Sequence, residues 1–307
     1  VCDVGSPSPS WQARLLKGIF RLRRLVRPPG AFDVAQERAS LEALARRCQP
    51  RVALQCTPVA ADGVPAEWVR PPGASTDRVL LYLHGGGYVS GSSRSHRHLA
   101  GLIARAAQSR ALVPDYRLAP EHVFPTAVED VQAAYGWLVA HHAEPGQIAI
   151  AGDSAGGGLT LVTAIALRDA GQAMPGALVA LSPWTDLAAS GTSYHTRARA
   201  DVVLTEATIR WFARLYLGDA DPRTPLASPL YADLAGLPPL LIQVGADEIL
   251  LSDSVALAER AQEGGVEVTL EVWNGMGHVW PYVARFLPEG RRAVERIGQF
   301  IAARVPA

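Results

Sequence analysis

Ser154 stands in the run Gly152-Asp153-Ser154-Ala155-Gly156, directly after the apolar stretch Ile148–Ala151 and directly before a long apolar run from Ala155 to Leu167. A serine at a sharp strand-to-helix junction is exposed at the edge of a sheet, and flanking glycines remove the side chains that would clash there. The amide of Ala155 then faces the same point with a helix dipole behind it, suited to an oxyanion. That is the chemistry of acyl transfer. G-x-S-x-G also arises by chance in glycine-rich sequence, but the strand-turn-helix context argues against coincidence here.

A second glycine-rich loop, His84-Gly85-Gly86-Gly87, follows the apolar run Val79–Leu83. Its backbone N–H groups, those of Gly85 and Gly86, can approach a substrate oxygen without obstruction, which an oxyanion hole requires. Alone it could be no more than a flexible turn.

A serine hydroxyl needs a base, and the chain offers eight histidines. Those at 96, 98, 122, 141, 142 and 195 sit in polar or helical contexts with ordinary surface readings, and none has partners that complete a zinc site. His278 differs, lying in Asn274-Gly275-Met276-Gly277-His278 after the last strand-like run, where a loop can carry the ring back toward Ser154. For the acid that orients it, Asp247, Glu248 and Asp253 follow the strand Leu240–Val244. Asp247 is the choice, because it comes first after the strand and so lies at the sheet edge that carries Ser154. Glu248 or Asp253 would cap or solvate the next helix. Asp153 should point away from the serine. A Ser–Lys mechanism is excluded at this motif, since Lys17 is the only lysine and no serine precedes it by three.

These residues need a scaffold. Short apolar runs at 51–57, 66–69, 79–83, 111–114, 148–151, 178–181, 240–244 and 266–273 are bounded by Gly and Pro. From the third onward most are separated by segments long enough for a helix. The pattern predicts an α/β fold: a mainly parallel central sheet flanked by helices, with antiparallel strands at its start. Trp11–Val26 reads as an amphipathic helix with a basic face, ended by Pro28-Pro29, and a second helix runs from Val34 to Arg47. The first helix is expected to pack on its own protein rather than on a membrane. Residues 185–230 break the alternation and look like an insertion. With the N-terminal helices it could cover the sheet edge where open α/β sheets bind ligands. The expected organisation is therefore 1–50 as the first part of a helical cap, 51–187 and 218–307 as the catalytic domain, and 188–217 as the cap insertion.

Charge is balanced, with 29 basic against 29 acidic residues, so no long-range field favours nucleic acid or an anionic surface. The expected partner is a small-molecule ester, with no nucleic acid, no stable membrane insertion and no cofactor or metal. A sheet-edge homodimer is compatible with the sequence, but no motif demands it. Three cysteines without metal-ligand spacing suggest reduced thiols and a cytoplasmic setting. No stretch approaches the roughly 20 apolar residues of a membrane span.

From His84 to His278 the blocks HGGGYVSG, DYRLAPEH, GDSAGG, SPWTDL, ASPLYADLAGLPPLL, GADEILLSD and GMGH resemble the hormone-sensitive-lipase-like branch of α/β-hydrolases, in its bacterial esterase form. The resemblance implies the α/β-hydrolase fold with a helical cap, Ser154, Asp247 and His278 as triad, and Gly85, Gly86 and Ala155 as oxyanion donors. Tyr116 to Glu121 match a block read as architectural. The cap regions match only in kind. Tyr88, Trp184, Trp211 and Tyr216 are candidate substrate-pocket residues, although buried aromatics more often serve packing. The expected activity is carboxylester hydrolysis on short to medium acyl chains. An amidase or lactonase would use the same triad, and a non-catalytic receptor is known on this fold, in a relative that lacks the histidine. His278 is present here.

Overall fold

Among the described residues, nine strands form one sheet in the order β1-β9-β8-β7-β6-β4-β5-β3-β2. They are β1 (Cys2–Asp3), β2 (Gln55–Ala61), β3 (Val64–Arg70), β4 (Val79–Leu83), β5 (Arg110–Pro114), β6 (Ile148–Asp153), β7 (Ala177–Leu181), β8 (Leu240–Gly245) and β9 (Val268–Trp273). The computed structural model describes residues 2–3, 8–26, 33–49 and 53–307. Pro28-Pro29, expected to end the first helix, and Arg51 and Val52, expected to open a strand, lie outside the described residues. β2 pairs antiparallel with β3, and β3 with β5; all the other pairs are parallel. Asp62 and Gly63, both with positive φ, make the tight link between β2 and β3 that a two-residue hairpin favours.

β4, β6, β7 and β8 are buried along their whole length, which is why they read as continuous apolar runs rather than as alternating ones. Their side chains still divide by parity between two cores. Val79, Leu81, Leu83, Ile148 and Ile150 join one cluster, whereas Leu80, Tyr82, Ala149 and Ala151 join the other. Helices α4 (Thr126–His141), α5 (Ala155–Asp169) and α8 (Leu251–Glu263) pack into the first; α3 (Ser93–Ala106) and α9 (Pro288–Arg304) pack into the second. A covered sheet of this order leaves the carboxyl ends of its parallel strands as the open edge.

The remaining helices gather over that edge. α1 (Trp11–Val26) and α2 (Val34–Cys48) match the two predicted N-terminal helices, and α6 (Ser193–Thr196) and α7 (Glu206–Leu217) lie in the expected insertion. α7 is not a detached lid: Ile209, Trp211, Phe212, Tyr216 and Leu217 belong to the same core as the sheet. α1 sets Ala13 and Leu16 against Trp273, Met276, Trp280 and Leu287, the residues around the His278 loop. None of the helices among the described residues is long and apolar enough to cross a membrane.

Candidate active site

β6 ends at Asp153 and α5 begins at Ala155, so the whole reversal falls on Ser154, which adopts φ 56° and ψ −120°. A non-glycine residue in that region is strained and is held only by its surroundings. Here the amide of Ser154 donates to the carbonyl of Leu181 at 2.8 Å, and its carbonyl accepts from Trp184 at 3.0 Å and Gly158 at 3.1 Å. The neighbouring strands press closely on the turn. A Cβ on Gly152 would lie 2.2 Å from the carbonyl oxygen of Gly156, and one on Gly156 would lie 2.1 Å from that of Leu83. Both glycines of the motif are therefore required by backbone contact.

His278 closes on the serine. Its Nε2 is 3.0 Å from Ser154 Oγ, and its Nδ1 is 2.7 Å from Glu248 Oε2. Asp247, expected as the acid, is not the partner. Its carboxylate instead accepts from Lys17 Nζ on α1 at 2.5 Å, while its amide pairs with the Met276 carbonyl at 3.0 Å. The backbone after β8 turns the first acidic side chain outward to the helical cover and the second inward. Glu248 is fully buried, and its Oε1 accepts from Ser182 Oγ at 2.8 Å and from the Gly245 amide at 2.6 Å. Ser182 Oγ also accepts from the Val279 amide at 3.0 Å, tying the end of β7 to the histidine loop. Burial pulls the His278 pKa down, but the hydrogen bond and charge of Glu248, with the charges of Asp201 and Asp153, carry it net above its ordinary value.

The glycine loop departs from expectation in one donor. The Gly85 amide donates to Asp153 Oδ1 at 3.2 Å, so it is already engaged, whereas Gly86 and Gly87 line the pocket with Ser154. Asp153 also accepts from Tyr82 Oη at 2.7 Å and has His96 Nε2 within 3.5 Å of its other oxygen. These contacts engage both carboxylate oxygens and join the elbow to the loop, while Asp153 also lines the pocket with Ser154. Burial raises its pKa, but His96 and the hydrogen bond from Tyr82 outweigh that and hold the carboxyl below its ordinary value. Tyr116 Oη donates to the His84 carbonyl at 2.6 Å and its ring stacks on the His84 imidazole, which burial holds at a pKa of about 3 and hence neutral. Arg38 on α2 donates to the carbonyls of Val89 and Ala119 and pairs with Glu121 at 2.6 Å. The Tyr116 to Glu121 block thus braces the glycine loop.

A pocket of about 360 Å³ opens onto Ser154 and His278. Of the four expected pocket aromatics only Trp184 lines it. Tyr88 and Tyr216 stack on each other at 3.8 Å and are buried, and Trp211 is buried beside Phe212. Phe212 reaches the pocket instead, together with Leu204 and Ile209 from the insertion, and Leu16, Phe20, Leu41 and Leu44 from α1 and α2. Helical periodicity on α7 could have separated Phe212 from Trp211 only if the face toward the sheet had been known. Cys48 is buried and Cys56 half-buried, both as free thiols.

The profile of a family described as alpha/beta hydrolase fold matches residues 80–282. An acetyl-hydrolase of Streptomyces hygroscopicus is 50% identical over 236 residues, 77% of this chain and 79% of the relative. An esterase of Acinetobacter venetianus is 32% identical over 282 residues, 91% of this chain and 93% of the relative. Among solved structures, an esterase from the bacterial hormone-sensitive lipase family is 47% identical with a TM-score of 0.93, covering 97% of this chain and all (100%) of that one. The esterase EstE5, solved after soaking with p-nitrophenyl butyrate, is 44% identical with a TM-score of 0.91 over the same shares, 97% and 100%.

Proposed function

Because the chain belongs to the α/β-hydrolase family, in its hormone-sensitive-lipase-like branch, we propose that it hydrolyses carboxylic esters with Ser154 as nucleophile, His278 as general base and Glu248 as the acid that orients the histidine. The single observation that carries this reading is the Ser154–His278–Glu248 chain of hydrogen bonds, at 3.0 and 2.7 Å.

His278 Nε2 takes the Ser154 proton as Oγ attacks the ester carbonyl carbon, and Glu248 keeps the ring's other proton on Nδ1 and stabilises the imidazolium that forms. The carbonyl π pair moves to oxygen, where amides of Gly86, Gly87 and Ala155 receive it. Each such donor is worth about 2.7–4 kcal/mol of transition-state stabilisation. Collapse of the intermediate expels the alcohol, protonated by His278, and leaves an acyl-enzyme. Water then repeats the sequence with His278 again as base and releases the acid.

The pocket supports short to medium acyl chains: about 360 Å³ lies near the lower end of small-molecule sites. Its walls come from α1, α2 and the 188–217 insertion, which act as the cap and set substrate choice. The acetyl-hydrolase and esterase relatives, and the p-nitrophenyl butyrate soak of EstE5, support the same range.

The test is hydrolysis of p-nitrophenyl esters from acetate to palmitate, with the wild-type protein beside Ser154→Ala. Turnover of the short esters, abolished in Ser154→Ala, is the expected result. Full activity in Ser154→Ala would overturn the nucleophile, and rates rising past about ten acyl carbons would overturn the pocket assignment.

A further inference from the structure

Among the described residues, four of the exposed large hydrophobic side chains belong to α1: Trp11 (69% exposed), Leu15 (56%), Ile19 (48%) and Leu22 (64%). At about 100° per residue they fall within one arc of roughly 80° along the helix. Arg14 and Arg21, also exposed, border that arc on one side. The opposite face of the same helix, with Leu16 and Phe20, is a wall of the pocket that holds Ser154. One face of α1 is thus spent on the protein, while the other presents a tryptophan-led apolar stripe beside cations.

We propose that α1 is a membrane-surface anchor whose outer stripe lies in the headgroup region of an anionic phospholipid bilayer, with Arg14 and Arg21 against the lipid phosphates. Charge selects this occupant. The α1 sequence carries Arg14, Arg21, Arg23 and Arg24 and no acidic residue, while its remaining cation, Lys17, pairs with Asp247 on the pocket side. A second copy packed stripe to stripe with the two helices antiparallel would set the arginines of one α1 beside those of the other, which like-charge repulsion opposes. An anionic lipid surface reverses that sign and accepts the apolar stripe as well. The helix lies on such a surface and does not span it: it is 16 residues long with basic residues along its length. If the ester-hydrolase reading holds, adsorption brings the pocket wall to within about one helix diameter, 10–12 Å, of the headgroups. Esters dissolved in the bilayer then reach Ser154 by a short path.

The experiment is co-sedimentation of the full chain with phosphatidylcholine vesicles containing about 30% phosphatidylglycerol, and with pure phosphatidylcholine vesicles, at low and high salt. The expected result is at least about tenfold stronger partitioning onto the anionic vesicles, reversed by salt. Leu15→Glu with Leu22→Glu, and separately Arg14→Glu with Arg21→Glu, should each weaken it by about tenfold or more. Circular dichroism and p-nitrophenyl acetate hydrolysis in vesicle-free buffer should match the wild type for both variants. Pelleting is read without turnover, so a failure of the esterase reading leaves this test standing. Three results would overturn the proposal: no pelleting with anionic vesicles, pelleting indifferent to both double variants, or a dimer in sedimentation velocity that Leu15→Glu with Leu22→Glu dissolves.

Discussion

Nδ1 of His278 stands 2.7 Å from Oε2 of Glu248, a carboxylate sealed from solvent whose other oxygen accepts from Ser182 Oγ and the Gly245 amide. Three donors on one buried carboxylate fix the ring that faces Ser154, because a satisfied buried carboxylate has little freedom to turn. Glu248→Gln should keep the shape, lose the charge and lower kcat by about 10²–10⁴. Asp247→Asn, one residue away, should stay within about threefold of wild type in kcat, since its carboxylate faces Lys17. Steady-state kinetics of the pair on p-nitrophenyl butyrate decides between the two acids.

The same contact sets the pH profile. His278 works as a base only when neutral, and its pKa is raised in the folded protein. Activity should therefore fall as pH drops through a value above the ordinary histidine pKa of about 6.5. Removing the Glu248 charge takes away the main upward influence while burial remains. The acid limb of kcat/KM should then move to lower pH in Glu248→Gln, and a shift to higher pH would contradict the assignment.

Asp153 holds the glycine loop to the elbow through the Gly85 amide and Tyr82. Asp153→Ala frees that loop and leaves the triad side chains in place. Loss of preorganised oxyanion donors lowers kcat more than it raises KM, by about 10–10³-fold. Equal changes in both parameters would show that the loop is positioned some other way.

Gly156→Ala places a methyl group 2.1 Å from the Leu83 carbonyl oxygen, a backbone atom that cannot swing aside. Either β4 or the elbow must move, and overpacking of this kind costs about 1–3 kcal/mol or more. Thermal denaturation should show a lowered Tm, and the residual soluble protein should be inactive.

Lys17 reaches from α1 to Asp247 with both side chains about a quarter exposed, 29% and 25%. A partly solvated ion pair contributes about 0–1 kcal/mol, so Lys17→Met should leave Tm nearly unchanged. Its effect should appear in KM, because Lys17 also lines the pocket. A fall in kcat at constant KM would place Lys17 in the chemistry instead.

Much of this was written in the sequence. Strand-length apolar runs alternating with helical segments specify a covered parallel sheet, because each run must bury both its faces. The G-D-S-A-G and H-G-G-G loops lie at strand ends, and glycine is required there because packed neighbours leave no room for Cβ: the Leu83 carbonyl at Gly156, Asp153 at Gly85 and the Ser90 carbonyl at Gly86. Ser154 and His278 were legible for that reason. The choice between Asp247 and Glu248 was not: adjacent residues in a turn point apart, and only the loop's φ and ψ decide which turns inward. The Gly85 amide was lost to Asp153 through a contact between two strands, which no local pattern encodes. Of the four expected pocket aromatics Trp184 does line the pocket, whereas on α7 Phe212 takes the place expected of Trp211 and Tyr216, because which ring reaches the pocket depends on how that helix docks on the sheet. Sequence by itself determined which chemistry the chain could carry and where its strands end. Tertiary packing alone decided which acid meets the histidine, which amides are left free, and which apolar side chains meet the substrate, because each depends on groups far apart in the chain competing for one position in space.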